Sequence, residues 1–279
     1  MFERFSLYKI DNIHQIPFDS KLYSKYKYGD HIQAKKFGDQ LAHAFINQFH
    51  SFILKGEQQF ICISSPFGCV PPAAFFIFKT FCEILNDFLV ENGREQIEER
   101  KIVRVGTISE DYSLLSRSER LMRINEERYF IDKNGLENKF LLFLDDIRIT
   151  GMHEKNIIDL LAKTNIRNRR LFIYYAELIN ENIPPAFEHQ LNTCFVKSLD
   201  NILDIINEKS FILNTRVIKE ILRSDHKQID HFLSNISDNL LIKILNLSIE
   251  SHYNLMKEFL PALRQIESYF KNRENNVMN

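Results

Sequence analysis

At 279 residues the chain can bury one large core, or one α/β core together with a smaller helical unit. Its 44% hydrophobic and 26% charged residues are those of an ordinary globular protein, not of a disordered or fibrous one. The 36 Lys and Arg nearly cancel the 37 Asp and Glu, so no global field steers it to nucleic acid or an anionic membrane, and neither is an expected partner.

The opening MFERFSLYKIDN carries acids early and has no sustained apolar core, so it is not read as a secretory signal. The first 28 residues read as irregular, with alternating aromatics and Pro17. Asp30, after Gly29, is expected to cap a helix whose Ile32, Phe37, Leu41, Phe45 and Phe49 form one apolar stripe. A short buried strand is expected at 60–64, a loop at 65–71, and a helix whose first turn suits Pro71 and Pro72. The apolar stretch 60–78 is long enough to suggest a membrane span, but Pro66, Gly68, Pro71 and Pro72 divide it into strand, loop and helix.

After a charged stretch at 94–101, a strand is expected at 102–108. A polar excursion rich in Arg and Glu follows at 109–138, longer than compact connections need. The run FLLFL at 140–144 is too short and too apolar for a solvent-facing helix, and reads as a buried strand of a parallel sheet. A helix at 153–164 and a strand at 171–176 come next, and 194–196 could add one more strand. This order predicts an α/β fold over 1–198, doubly wound, with a mainly parallel sheet.

From Ser198 the texture changes. Glycine is absent after Gly151, and helices are expected at 199–206, 215–222, 227–236, 238–251 and 253–270, the last broken near Pro261. Residues 199–279 are therefore a C-terminal helical appendage packed on the sheet, with KNRENNVMN frayed at its end. Cys62, Cys69, Cys82 and Cys194 form no C-x-x-C pair and lack zinc spacing; they read as buried thiols in a reducing compartment, and a cytoplasmic location is expected.

The most informative stretch is FLLFLDDIRITGMHEKN at 140–156. Strand, tight Thr-Gly loop and helix follow one another, so the loop falls at the carboxyl end of a strand, where helix-start N–H groups can bond a phosphate. An acidic pair in this position also suits a metal-dependent phosphatase, a nucleotide-hydrolase acidic motif or a plain strand terminator. No Gly-x-x-x-x-Gly-Lys-Ser/Thr precedes it, so the nucleotide hydrolase lacks its phosphate loop.

With four apolar residues, two acids and a following Thr-Gly, the stretch resembles the phosphoribosyl diphosphate (PRPP) motif of type I phosphoribosyltransferases. The resemblance implies that Asp145 and Asp146 hold the ribose hydroxyls and, indirectly, Mg²⁺. It also implies that Arg148, Ile149, Thr150, Gly151, Met152 and His153 wrap the 5′-phosphate. Thr150 and Gly151 match directly. Ile149 and His153 stand where that family usually has hydroxyl residues, which leaves the phosphate to backbone N–H groups and a ring N–H of His153.

The diphosphate is expected at the loop that includes Ser64, Ser65 and Gly68, which carries no basic residue. Lys27 in YKYGD, Arg117 and Arg120 in LSRSER, and Arg148 are the candidates to neutralise it. LSRSER resembles a Leu-Ser-x-x-Glu-Arg segment of competence-associated and amidophosphoribosyltransferase-like proteins. Together these segments resemble the divergent phosphoribosyltransferase-like proteins of tellurium-resistance and stress gene clusters. The implied reaction is displacement at ribose C1 of PRPP by an unspecified small-molecule base or amine, with Mg²⁺ as cofactor and residues 109–138 as a hood. A homodimer is compatible with the resemblance. Two other readings stand beside it: a non-catalytic sensor of PRPP or a nucleotide, and an interaction protein working through its helical tail, with His226, His231 and His252 on the surface.

Overall fold

The computed structural model of the protein describes residues 4–55, 58–105, 128–208 and 210–277. One sheet holds β1 (Arg4–Ile10), β2 (Phe60–Phe67), β3 (Glu98–Val105), β4 (Arg128–Phe130), β5 (Phe140–Arg148) and β6 (Arg170–Leu178), in the order β1-β6-β5-β2-β3-β4. Every pairing is parallel except that of β4 with β3. The expected doubly wound, mainly parallel sheet is therefore present.

Alternation along the strands sends successive side chains to opposite faces. Cys62, Leu142, Leu144 and Ile173 meet α2 (His31–Lys55) and α3 (Ala74–Glu91) on one face. Ile61, Ile63, Leu141 and Phe143 meet α4 (Met152–Lys163) on the other. Both faces are dry, which is why these strands read as continuous apolar runs. Asp30 caps α2 as expected, accepting the Gln33 N–H at 3.1 Å.

Several boundaries differ from the sequence reading. The first 28 residues are not irregular: they form the edge strand β1, beside β6, and α1 (Ser20–Lys27), capped by the Asp19 carboxylate at 2.8 and 3.1 Å from the Lys21 and Leu22 N–H groups. In β1 only Phe5 and Ile10 are buried, so its pattern is too weak to announce a strand. β3 begins inside the charged stretch because Lys101 and Val103 are exposed on a thinly covered side of the sheet. The end of the expected excursion returns as β4; residues 106–127, with Arg117 and Arg120, lie outside the described residues.

The extra strand expected at 194–196 is absent. Helix α5 (Phe187–Asn192) ends there in a turn, and the N–H groups of Phe195 and Val196 both donate to Ser24 Oγ at 3.1 Å. Of the cysteines, Cys62 and Cys82 are buried, Cys194 is half-buried and Cys69 is exposed, all with free thiols. Among the described residues no helix is long and apolar enough to cross a membrane.

The C-terminal region contains α6 (Leu199–Asn207), α7 (Thr215–Arg223), α8 (His226–Ser234), α9 (Asp238–Glu250), a 3₁₀ turn (Tyr253–Leu255) and α10 (Leu260–Val277). The start of the helix expected from residue 253 is instead that 3₁₀ turn and a short loop, and Pro261 does not break α10 but sits in its first turn, where its missing N–H costs nothing. α10 continues to Val277 instead of fraying at residue 271. Ile202, Val217, Ile221, Phe232, Ile244 and Phe259 build a second core, which also takes in Tyr28 and Val70 from the sheet-bearing part.

Gly29 is the hinge of this docking. Its φ is +99°, its carbonyl accepts the Ile212 N–H at 2.9 Å, and the His31 N–H reaches Ser210 O at 3.1 Å. A Cβ here would stand 2.5 Å from Ile212 O and 2.7 Å from the Phe211 ring. Gly29→Ala is expected to cost about 1–3 kcal/mol through backbone strain alone, and to loosen the helical region first. Limited proteolysis should then cut near residues 208–214 while the sheet stays folded; an unchanged digestion pattern would refute this.

Candidate functional site

β2 and β5 pair only as far as Ser64 and Leu144. Beyond them β2 has a register shift between Ser64 and Phe67, and the strands part. The chain leaves β2 toward β3 on one side and leaves β5 toward β6 on the other, so the crevice between them is the switch point of the sheet, where open α/β sheets bind ligands. A cleft of about 180 Å³ opens there.

Strand alternation separates the two aspartates. Asp145 continues the face of Leu141 and Phe143 and turns toward the start of α4. Its Oδ1 accepts Ser65 Oγ at 2.7 Å and its own neighbour's N–H, that of Asp146, at 2.9 Å. Its Oδ2 lies 3.3 Å from His153 Nδ1. Burial pushes this carboxyl up, but the His153 ring, the Ser65 hydroxyl and the Lys27 charge together outweigh burial and hold it below its ordinary value.

Asp146 continues the face of Leu144, toward α1. It is 4% exposed, and its Oδ2 takes the Tyr23 hydroxyl at 3.3 Å, the Tyr26 hydroxyl at 3.0 Å and the Lys27 ammonium. Its Oδ1 accepts the Ile147 N–H at 2.9 Å. Burial first, and then the Asp146 charge, raise both tyrosine hydroxyls well above their ordinary value, so both are held as donors. Both aspartates line the cleft, but Asp146 is bound into the wall while Asp145 stands nearer its open side.

The loop after the aspartates is a nest of donors. Among the described residues no hydrogen bond uses the N–H groups of Ile149, Thr150 or Gly151, and Met152 N–H has only a long contact of 3.4 Å to Thr150 Oγ1. These groups precede α4, so the positive end of the helix adds to them. Gly151 sits at φ +70° as the N-cap. Met152 is buried beneath the loop, and Ile149 packs on the core. His153 has a half-exposed ring directed at Asp145.

Arg148 holds this loop from below. Its guanidinium bonds Glu154 at 3.2 Å and Glu177 at 3.1 Å. Arg4 joins the cluster at 2.7 Å from Glu154, and the Tyr174 hydroxyl donates to Glu154 at 3.1 Å. A Cβ on residue 151 would meet Arg148 Nη2 at 2.5 Å. Gly151→Ala thus combines left-handed strain of about 1–2 kcal/mol with displacement of this guanidinium. The variant is expected to stay folded and to lose affinity for inorganic phosphate and sugar phosphates at least about tenfold; equal affinity in titration calorimetry would contradict the nest.

The residues expected at the diphosphate separate. Ser65 lines the cleft, Ser64 is buried in the sheet at 2% exposure, and Gly68 faces a neighbouring cleft. Lys27 does reach the cleft wall. The sequence reading missed Arg104 at the end of β3 and Arg216 at the start of α7, which also line it, as does Glu188. Nothing local marks them: Arg104 looks like a strand charge and Arg216 like a solvated helix charge.

Among the described residues no group of three or more His, Cys, Asp or Glu side chains could hold a metal ion. Mg²⁺ commonly takes one or two carboxylates and completes its shell with water and substrate phosphates. The described carboxylates lining the cleft are Asp145, Asp146 and Glu188; Asp146 is paired with Lys27, and Asp145 with Ser65 and His153.

A family model described as "PRTase ComF-like" matches residues 1–266. Among solved structures, two crystal forms of a hypoxanthine phosphoribosyltransferase from Staphylococcus aureus are similar to the chain. The tetragonal form is 13% identical with a TM-score of 0.31, covering 55% of this chain and 76% of its own. The orthorhombic form is 12% identical with a TM-score of 0.30, covering 60% and 79%. No curated protein matches the sequence.

Proposed function

Since the chain belongs to the ComF-like phosphoribosyltransferase family, we propose that it transfers the phosphoribosyl group of PRPP to a small-molecule acceptor at the β2/β5 crevice. The observation that carries this reading is the uncommitted run of N–H groups at Ile149, Thr150 and Gly151, set beside a carboxylate held in its charged form. The nest suits the 5′-phosphate, and Asp145 suits the ribose hydroxyls. Arg104 and Arg216 supply positive charge for the diphosphate, which answers the lack of a basic residue in the segment around Ser65, whereas the Lys27 charge is already paired with Asp146. Mg²⁺ bound to the diphosphate would add charge neutralisation of the leaving group.

The acceptor gives a lone pair to C1 as the C1–O bond breaks, and the diphosphate leaves with that electron pair. The acceptor's proton passes to water. Positive charge grows on the sugar ring in the transition state, and fixed negative charge from Asp145 nearby favours it over the ground state. His153, bonded to Asp145, orients that carboxylate, and Ser65 fixes its other oxygen.

The resemblance to the tellurium-resistance and stress branch is supported by three of its four segments converging here, through Lys27, Ser65 and Asp145. The sensor reading is favoured by one observation, the commitment of Asp146 to Lys27 and two tyrosines. PRPP incubated with Mg²⁺ and a panel of nucleobases and amines separates the two. Acceptor-dependent diphosphate release supports transfer. Tight PRPP binding with no release under any acceptor overturns transfer in favour of sensing.

A further inference from the structure

The loop after the aspartates is flanked by two charged side chains that bond each other: Arg148 at the end of β5 and Glu154 in the first turn of α4. Glu154 is only 7% exposed, so water screens it little. A carboxylate in this place works against anion binding. The positive end of α4 favours any negative charge near its first turn, so a bare Glu154 would take up that field and repel a phosphate in the loop as well. Arg148 does not cancel Glu154 alone, because the same guanidinium also bonds Glu177 at 3.1 Å. The balance comes from Arg4 in the edge strand β1. Its Nε meets both Glu154 oxygens, at 2.9 and 2.7 Å, and its Nη1 stands 3.8 Å from Glu177. Ser6, two residues along the same strand, donates to Glu177 at 2.9 Å. Among the described residues, two guanidinium groups therefore face two carboxylates beneath the loop.

Resting on the transfer reading above, we propose that Arg4 is a positioning residue of the phosphate site. It holds and neutralises Glu154, which leaves the positive end of α4 and the N–H groups of Ile149, Thr150 and Gly151 to the 5′-phosphate of the substrate. Arg4 is not among the described residues that line the cleft, so it acts through Glu154 and not on the phosphate itself. The path is short. Glu154 bonds Arg148, whose Nη2 lies so close beneath Gly151 that a Cβ on that residue would stand 2.5 Å away. Removing the Arg4 charge leaves two carboxylates to one guanidinium, and the excess negative charge falls directly under a loop that must hold an anion.

Titration calorimetry of the full chain with PRPP and Mg²⁺, with ribose 5-phosphate and with inorganic phosphate tests this. Arg4→Met, at a side chain 36% exposed, should keep the fold and weaken each ligand about three- to thirtyfold, as expected for one charge in a partly buried place at a helix N-terminus. Glu154→Gln leaves the opposite excess of charge, keeps an acceptor for Arg148, and should bind each ligand more tightly than the wild type. Arg4→Met/Glu154→Gln restores the balance and should recover most of the loss. A cluster with only a structural role gives the contrary pattern: both single variants bind more weakly, and the double variant more weakly still. In turnover, the Arg4→Met defect should appear in the KM for PRPP and not in kcat. Wild-type affinity in Arg4→Met, weaker binding in Glu154→Gln, or a double variant no tighter than Arg4→Met would overturn the role of Arg4 alone. Should Arg4→Met fail to fold, the direction of the Glu154→Gln change decides. The expected binding pattern with no diphosphate release under any acceptor supports the role of Arg4 and overturns transfer. A wild type that binds none of the ligands overturns both.

Discussion

Lys27→Met is expected to destabilise the protein by about 3–5 kcal/mol, the cost of leaving one partner of a buried ion pair uncompensated. The Lys27 and Asp146 side chains are only 10% and 6% exposed. Without the ammonium, the Asp146 carboxylate retains two tyrosine hydroxyls and one N–H but no charge partner. Asp146→Asn should cost a similar amount from the other side, stranding the ammonium among Tyr23, Tyr26 and Asp145. The double variant Lys27→Met/Asp146→Asn should recover a substantial part of the loss, because the two substitutions remove one interaction between them. Urea denaturation of the four proteins checks this. A single-variant loss below about 1 kcal/mol, the range of surface pairs, would mean that the pair is not buried in solution.

Asp145→Asn should behave in the opposite way, sparing the fold and removing the chemistry. With PRPP and a working acceptor, kcat is expected to fall about 10²–10³-fold, as when a single transition-state contact is lost. The amide still reaches Ser65 and His153, so stability should fall much less than in Lys27→Met. The pH dependence supplies a second readout. A carboxyl held below its unfolded pKa contributes stability that is present above the ordinary carboxylate value and lost as pH falls through the depressed folded value. Acid unfolding of Asp145→Asn should therefore have a shallower slope below about pH 4. Full activity in Asp145→Asn would remove Asp145 from the site, and an unchanged acid slope would show that its interactions with His153 and Ser65 are not formed.

These variants bear on how function is divided within one short motif. Two adjacent aspartates look equivalent in sequence, yet one residue of displacement along a strand sends them to opposite faces. One becomes part of a dry wall with α1. The other stays beside the loop whose N–H groups at 149–151 carry no hydrogen bond among the described residues. The same parity separates Ser64, which is lost in the sheet, from Ser65, which bonds Asp145. Arg148 shows a further limit of motif reading: inside the expected phosphate loop, it serves Glu154 and Glu177 and supports the turn from beneath.

The sequence by itself determined the parallel sheet, because strands dry on both faces must be apolar throughout, and the runs at 60–64 and 140–144 have no other stable use. It determined the donor loop, because a Thr-Gly turn between such a strand and a helix leaves N–H groups without helical partners wherever it occurs. It determined the helical C-terminal layer through periodicity and the absence of glycine. Only the tertiary structure decided that β1 closes an edge, since a strand with two buried residues acquires its identity from β6. Only it brought Arg104, Arg216, Lys27 and Asp145, from four distant segments, to one crevice, and set a second cleft against it. The physical reason is the range of the forces involved: hydrophobic period and turn strain act within a few residues, whereas the charges of a site meet only after two cores have docked.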